Sequence, residues 1–158
     1  MILVLNGSPN KDGYTTKVIK EQIKEEYIEI RAYDEVISPC DDCKYCKYKT
    51  GCKWDDMDHL YELLSKCDKL VIASPLYFGA FSSELLGIIT RFQTYFSQKY
   101  YRELDLFTIE ESLLIVTAGG NYPDMFDGPR ATMRLLNALF GVSKTEEVLI
   151  KSTDNEFE

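Results

Sequence analysis

The sequence holds a single histidine and a single tryptophan in 158 residues. It also lacks any apolar stretch near the roughly 20 residues that a membrane-spanning helix needs. The longest apolar runs, such as Ser112 to Ala118, suit buried strands instead. The one histidine, His59, falls inside a predicted helix and reads as a surface or capping residue, so no Ser/His/Asp constellation is drawn around it. Positive charge is scarce: 18 Lys and Arg stand against 26 Asp and Glu, a net charge of -8 that repels phosphate polyanions and argues against a nucleic-acid partner. Met1-Ile2-Leu3-Val4-Leu5 lacks the basic start and the cleavage site of a signal peptide and reads as a strand. The expectation is a cytoplasmic protein that meets neither membrane nor nucleic acid.

What is present is the composition of a globular chain, 45% hydrophobic and 28% charged, and residues 1–158 are read as a single domain. Short apolar runs alternate with amphipathic stretches that begin after Gly, Ser, Pro or Asp. Strand β1 is expected at Ile2 to Asn6, followed by a loop and a helix over Thr15 to Glu26 with Val18, Ile19 and Ile23 on one face. Strand β2 follows at Tyr27 to Tyr33, and then an irregular, cysteine-rich segment over residues 34–54. An irregular insert of that length is usually functional or disordered, and its cysteines favour function.

A second helix, capped by Asp55 or Asp56, runs to about Lys66, and Lys69 to Ser74 forms β3. A third helix starts at Ser82 or Ser83 and continues to about Ser97. An aromatic connection, Gln98 to Glu110, leads into β4 at Glu111 to Thr117. A fourth helix spans Asp127 to Phe140 and ends at Gly141; β5 is expected at Glu146 to Lys151, before the acidic tail 153–158. This rhythm predicts an α/β fold with a doubly wound, five-stranded parallel sheet of order 2-1-3-4-5. Such a sheet normally carries one more helix after β5, so the face beside the first helix is expected to be partly bare and to be covered in a homodimer or higher oligomer.

In that order the loops leaving β1, β3 and β4 meet at one crevice. The first, Gly7 to Thr16, is rich in small residues and turns straight into a helix, whose N-terminal N–H groups attract an anion; Ser8, Thr15 and Thr16 can add hydroxyl donors. It matches neither G-x-x-x-x-G-K-[ST] nor G-x-G-x-x-G, so a single phosphate monoester suits it best. The second, Ser74-Pro75-Leu76-Tyr77-Phe78-Gly79-Ala80, sets two aromatics where turn residues are usual, able to cover a planar ring. In the third, Thr117 to Tyr122, Gly119 and Gly120 let backbone approach a flat ligand edge. Each loop alone reads equally as an ordinary turn. Together they favour a flavin.

Cys40, Cys43, Cys46 and Cys52 follow C-x2-C-x2-C-x5-C, interleaved with Lys44, Lys47, Lys49 and Lys53, whose charge would offset an anionic centre. Four such thiolates are the ligand set of a 4Fe-4S cluster, but zinc and four metal-free thiols fit the same spacing. Cys67, at a helix end before β3, reads as a packing residue. His59 reads as a surface or capping residue, and Arg91 as an ion-pair or interface residue.

The phosphate loop, the cysteine cluster, Asp55-Asp56-Met57, Ser74 to Gly79 and Arg91 together resemble the NADPH-dependent FMN reductase family, and within it the iron-sulfur flavoproteins. The resemblance spans nearly the whole chain. It implies a flavodoxin-like fold that binds FMN without a covalent bond. Ser8, Asn10, Thr15 and Thr16 would lie at the phosphate, Pro75, Leu76, Tyr77, Phe78 and Gly79 at the isoalloxazine, and Thr117, Ala118, Gly119 and Gly120 nearby. It also implies an oxidoreductase passing electrons from NAD(P)H through FMN, and through an iron-sulfur cluster if one is present, to an unnamed acceptor. Two other readings stay open: an FMN electron carrier without nicotinamide activity, and a four-cysteine zinc module on the same scaffold. The chain departs from the family in having Asn10 where Arg is usual, Tyr14 where Asn is frequent, and Leu86 and Thr90 where Lys and Asp are usual.

Overall fold

A computed structural model describes residues 1–154; the last four residues of the acidic tail lie outside the described part. Strands β1 (Ile2–Asn6), β2 (Tyr27–Arg31), β3 (Lys69–Pro75), β4 (Glu111–Thr117) and β5 (Lys144–Ile150) form one parallel sheet in the order β2-β1-β3-β4-β5. Helices α1 (Tyr14–Gln22), α2 (Asp58–Lys66), α3 (Ser83–Thr90), α4 (Gln93–Phe96) and α5 (Asp127–Phe140) supply the crossovers and their extensions. This is the flavodoxin-like arrangement that the sequence predicts.

The three central strands are apolar at successive positions because both of their faces are covered. Leu3, Leu5, Leu70, Ile72, Leu114 and Val116 face one side, where α2, α3 and α5 pack Leu60, Leu64, Leu85, Ile88, Met133 and Phe140 against them. Val4, Val71, Ala73, Leu113 and Ile115 face the other, beneath Val18 and Ile19 of α1 and Ile23 just beyond it. Helix α1 lies across β3 and β4, and Leu113 and Ile115 are buried. The expected bare face is therefore confined to the edge strand, where Val148 and Ile150 are half-buried and Glu146 is exposed. Among the described residues, no large exposed hydrophobic side chain lies on β4 or β5.

Strand β2 ends at Arg31, ahead of the expected Tyr33, and β5 runs Lys144–Ile150 where Glu146 to Lys151 was expected; three further boundaries differ in ways that bear on the site. Helix α1 stops at Gln22, ahead of the acidic pair Glu25-Glu26, which would meet the negative end of its dipole. Helix α2 begins after Met57, which brings no side-chain cap, so neither Asp55 nor Asp56 is its cap; Asp56 is committed elsewhere. The single helix expected from Ser82 to Ser97 is broken. After α3, three-residue turns (Arg91 N–H to the Ile88 carbonyl, Phe92 N–H to the Ile89 carbonyl) tighten the chain and carry Arg91 and Phe92 inward. The chain then widens into a π-helical segment, Ser97–Tyr101. Wide turns of this kind are frequent at functional sites.

Candidate functional site

The carboxyl ends of β1, β3 and β4 lie side by side, with Asn6 opposite Ala73 and Pro75 opposite Thr117. Hydrogen bonds tie their loops together. The Gly7 N–H donates to the Ala73 carbonyl (2.7 Å), the Leu76 N–H donates to the Thr117 carbonyl (2.8 Å), and the Thr15 and Thr117 hydroxyls meet at 2.7 Å. Thr117, expected only near the ligand, thus joins all three loops.

The first loop is stitched internally. Asn6 Oδ1 accepts from the Ser8 N–H (2.9 Å), and the Asn10 carbonyl accepts from the Ser8 hydroxyl (3.0 Å), the Gly13 N–H (3.2 Å) and the Thr16 hydroxyl (3.4 Å). Ser8, Thr15 and Thr16 are all buried, whereas Asn10 is exposed. Helix α1 opens at Gly13 with no side-chain cap, which leaves its N-terminal turn suited to an anion. Sequence reasoning missed Arg31. At the end of β2, it donates from Nη2 to the Ser8 carbonyl (3.0 Å) and lies 3.4 Å from Asp34, which also pairs with Lys11 (3.1 Å). Arg31 thus braces the phosphate loop through the Ser8 backbone, from a strand that no loop motif includes.

The second loop is a tight hairpin in which Tyr77 and Ala80 exchange both backbone hydrogen bonds at 3.0 Å. Its tip residues are left-handed, Phe78 at φ 50° and Gly79 at φ 75°. A non-glycine residue there is strained, and Phe78 is also fully exposed, which places an unpacked aromatic ring at the mouth of the crevice. Gly128, in the first turn of α5, sits directly on the Gly79 carbonyl, where any side chain would collide. Leu76, Tyr77, Phe78, Ala118, Gly119, Gly120, Tyr122 and Met125 line one open cleft. Pro75, Gly79 and Thr117 neighbour these residues in the chain but do not line the cleft. Tyr122 belongs to a loop the sequence singled out; Met125 carries no sequence signal. The chain uses Gly119 itself, because residues after β5 return over it: the Ser152 N–H donates to the Gly120 carbonyl (3.0 Å), the Thr153 N–H donates to the Ala118 carbonyl (3.0 Å), and the Asp154 carboxylate rests against Gly119.

Cys40, Cys43, Cys46 and Cys52 line a separate cavity with Lys44, Lys47, Lys53, Trp54, Arg91, Ser97 and Tyr101. Left-handed Asp42 (φ 56°) and Lys44 (φ 63°) fold the segment back on itself around Cys43. The Cys46 thiol lies 3.3 Å from the Ser97 hydroxyl at the start of the π-helical segment. Among the described residues, no three His, Cys, Asp or Glu side chains converge tightly enough to hold a single metal ion. Four thiols lining one cavity are a soft donor set of the kind that holds an iron-sulfur cluster or zinc. Of the lysines around it, Lys44 pairs with Asp42, while Lys47 and Lys53 lie 4.6 and 4.8 Å from the ring centres of Tyr101 and Trp54.

Arg91 is 2% exposed and anchors this segment at both ends, donating from Nη1 to the Ser38 carbonyl (2.8 Å) and from Nη2 to the Trp54 carbonyl (3.1 Å). Asp56 Oδ1 lies 2.7 Å from Nη1, and Oδ2 accepts from the Ser38 N–H (2.9 Å). Partial burial pushes the Asp56 carboxyl up, but the Ser38 N–H and the Arg91 guanidinium outweigh it and hold the carboxyl below its ordinary value. Cys67 is buried, and desolvation lifts its thiol to about 11, as a packing cysteine requires. His59 is exposed on α2 with Nε2 2.9 Å from Glu35.

The family model described as NADPH-dependent FMN reductase matches residues 1–144. The chain belongs to this family. An iron-sulfur flavoprotein of Methanocaldococcus jannaschii is 33% identical over 97 residues, 57% of this chain and 50% of that protein. The chain spans about half the length of curated relatives of this kind. The fold is shared with an NAD(P)H:quinone oxidoreductase from Methanothermobacter marburgensis (TM-score 0.71, 18% identity, 96% of this chain and 83% of that one). It is shared as well with an FMN-dependent NADH-azoreductase from Bacillus anthracis solved with FMN (TM-score 0.61, 15% identity, 96% and 87%). Among the described residues, no helix is long and apolar enough to cross a membrane.

Proposed function

We propose that residues 1–158 act as one FMN-binding domain of an oxidoreductase that takes electrons from NAD(P)H and passes them to an acceptor, by way of a 4Fe-4S cluster held by Cys40, Cys43, Cys46 and Cys52. The observation that carries this reading is the joining of the three loops through Thr117, which sets the uncapped N-terminus of α1 beside a cleft edged by Leu76, Tyr77 and Phe78. Bound FMN supplies hydride acceptance and electron release; the protein supplies position and electrostatics. In this reading the N-terminal turn of α1, with Ser8, Asn10, Thr15 and Thr16, holds the phosphate. Tyr77 and Phe78 flank the ring, with Pro75 and Gly79 shaping their hairpin. The backbone of Thr117, Ala118, Gly119 and Gly120 closes the cleft's far side. No side chain is needed as acid or base for hydride transfer, and the cleft is lined by Leu76, Phe78, Met125, two tyrosines and small residues, with no carboxylate, histidine or lysine among them. Self-association, if it follows the sheet, uses the edge strand β5 with its half-buried Val148 and Ile150.

Flavin titration of the purified chain tests the reading. One FMN per chain, with NADPH or NADH consumed once a dye or quinone is added, supports it. Failure to bind FMN removes it. FMN binding without consumption of either nicotinamide leaves the electron-carrier reading.

A further inference from the structure

Arg91 occupies an unusual position for a charged group. Its side chain is 1% exposed, it lines the cavity of the four cysteines, and it has one carboxylate neighbour, Asp56. Two guanidinium nitrogens are used on Ser38 and Trp54, which stand two residues before Cys40 and two after Cys52. The third, Nε, has no hydrogen-bond partner among the described residues. The Arg91 carbonyl accepts from the Tyr61 hydroxyl (3.0 Å), and Arg91 shares the cavity wall with Cys52. An unpartnered N–H on a buried cation is costly unless a ligand completes it. Closing the cysteine segment would require only the two carbonyl contacts. The remaining donor is unexplained by packing among the described residues.

We propose that Arg91 is a positioning residue for the four-cysteine centre and also its counter-charge: it holds the two ends of the cysteine segment together, and its buried positive charge raises the reduction potential of the cluster. The inference rests on the iron-sulfur reading above. Reduction adds one electron to the centre, donated by the flavin or by a chemical reductant; Arg91 stays protonated throughout and no bond breaks. A fixed cation beside the centre favours the more negative, reduced state.

The test is a redox titration, followed by electron paramagnetic resonance, of anaerobically reconstituted wild type, Arg91→Lys, Arg91→Gln and Asp56→Asn. Arg91→Gln is expected to lower the reduced-to-oxidised ratio at fixed potential by at least about tenfold, which is ~59 mV for a one-electron couple. Arg91→Lys should restore most of this difference. Asp56→Asn removes the anion that offsets Arg91 and should shift the potential the opposite way, upward. It also serves as the informative variant if Arg91→Gln does not fold. A loss of structure alone would move both variants in one direction. Unchanged potentials, or shifts of the same sign, overturn the proposal while leaving the cluster in place. Wild type that takes up neither iron nor sulfide overturns the cluster reading and this proposal with it.

Discussion

Replacing Thr15 by Val tests the joined loops most sharply. Thr15 is 2% exposed and its hydroxyl lies 2.7 Å from that of Thr117. If Thr117 donates to Thr15, the Thr15 hydrogen is free to point to an anion above α1. The change then removes one hydrogen bond to a charged phosphate, about 1.5–3 kcal/mol, and leaves the Thr117 hydroxyl buried without a partner. At 1.4 kcal/mol per factor of ten, FMN should bind roughly 10- to 100-fold more weakly. Riboflavin lacks the phosphate and should lose much less. Thr117→Val keeps the Thr15 hydroxyl but frees its orientation, so its effect on FMN should be smaller, a few-fold. The assay is quenching of flavin fluorescence on titration with protein, run in parallel for FMN and riboflavin. Equal losses for both flavins, or none for FMN, would refute the placement of the phosphate at Thr15.

Other substitutions separate the two halves of the site. Gly128→Ala forces a methyl group into the Gly79 carbonyl and should displace the Tyr77–Ala80 hairpin, weakening FMN and riboflavin alike in the same titration. Phe78→Ala removes a fully exposed ring, so thermal unfolding should be unchanged while both flavins bind less tightly. Met57→Ala empties a wholly buried position and should cost about 2–5 kcal/mol in urea unfolding. The folded-state pKa of Asp56 is depressed, so its stabilising contribution is full above the unfolded carboxylate value of about 3.9 and disappears as pH falls through the lower folded value. Wild type should therefore lose stability relative to Asp56→Asn as pH drops below about 4, and parallel pH profiles would contradict the ion pair.

Much of the sheet was legible because its signals are local. Strands β1 and β4 and helix α5 fall where the apolar runs and the Gly141 stop place them, since a buried parallel strand is written as an uninterrupted apolar run. The break after Thr90 was not legible: Arg91 and Phe92 continue the helical spacing, and only the tertiary demand to bury Arg91 changes the winding. Asp56 misled for a related reason. An acid before a helix looks like a cap, but its partners, Ser38 and Arg91, lie 18 and 35 residues away in sequence. Arg31 escaped notice because nothing in a strand end announces contact with a loop 23 residues earlier. The phosphate loop, the aromatic hairpin and the glycine pair were visible as motifs. Their joining through Thr117 depended on the register of β3 with β4.

The proposed site takes electrons from a reduced nicotinamide through FMN. Anaerobic stopped-flow mixing of the FMN-loaded protein with NADPH, and separately with NADH, tests it most directly. The visible absorbance of the flavin should bleach with at least one of them, at a rate that saturates with nicotinamide concentration. A flavin that stays oxidised with both, while still reducible by dithionite, would contradict it.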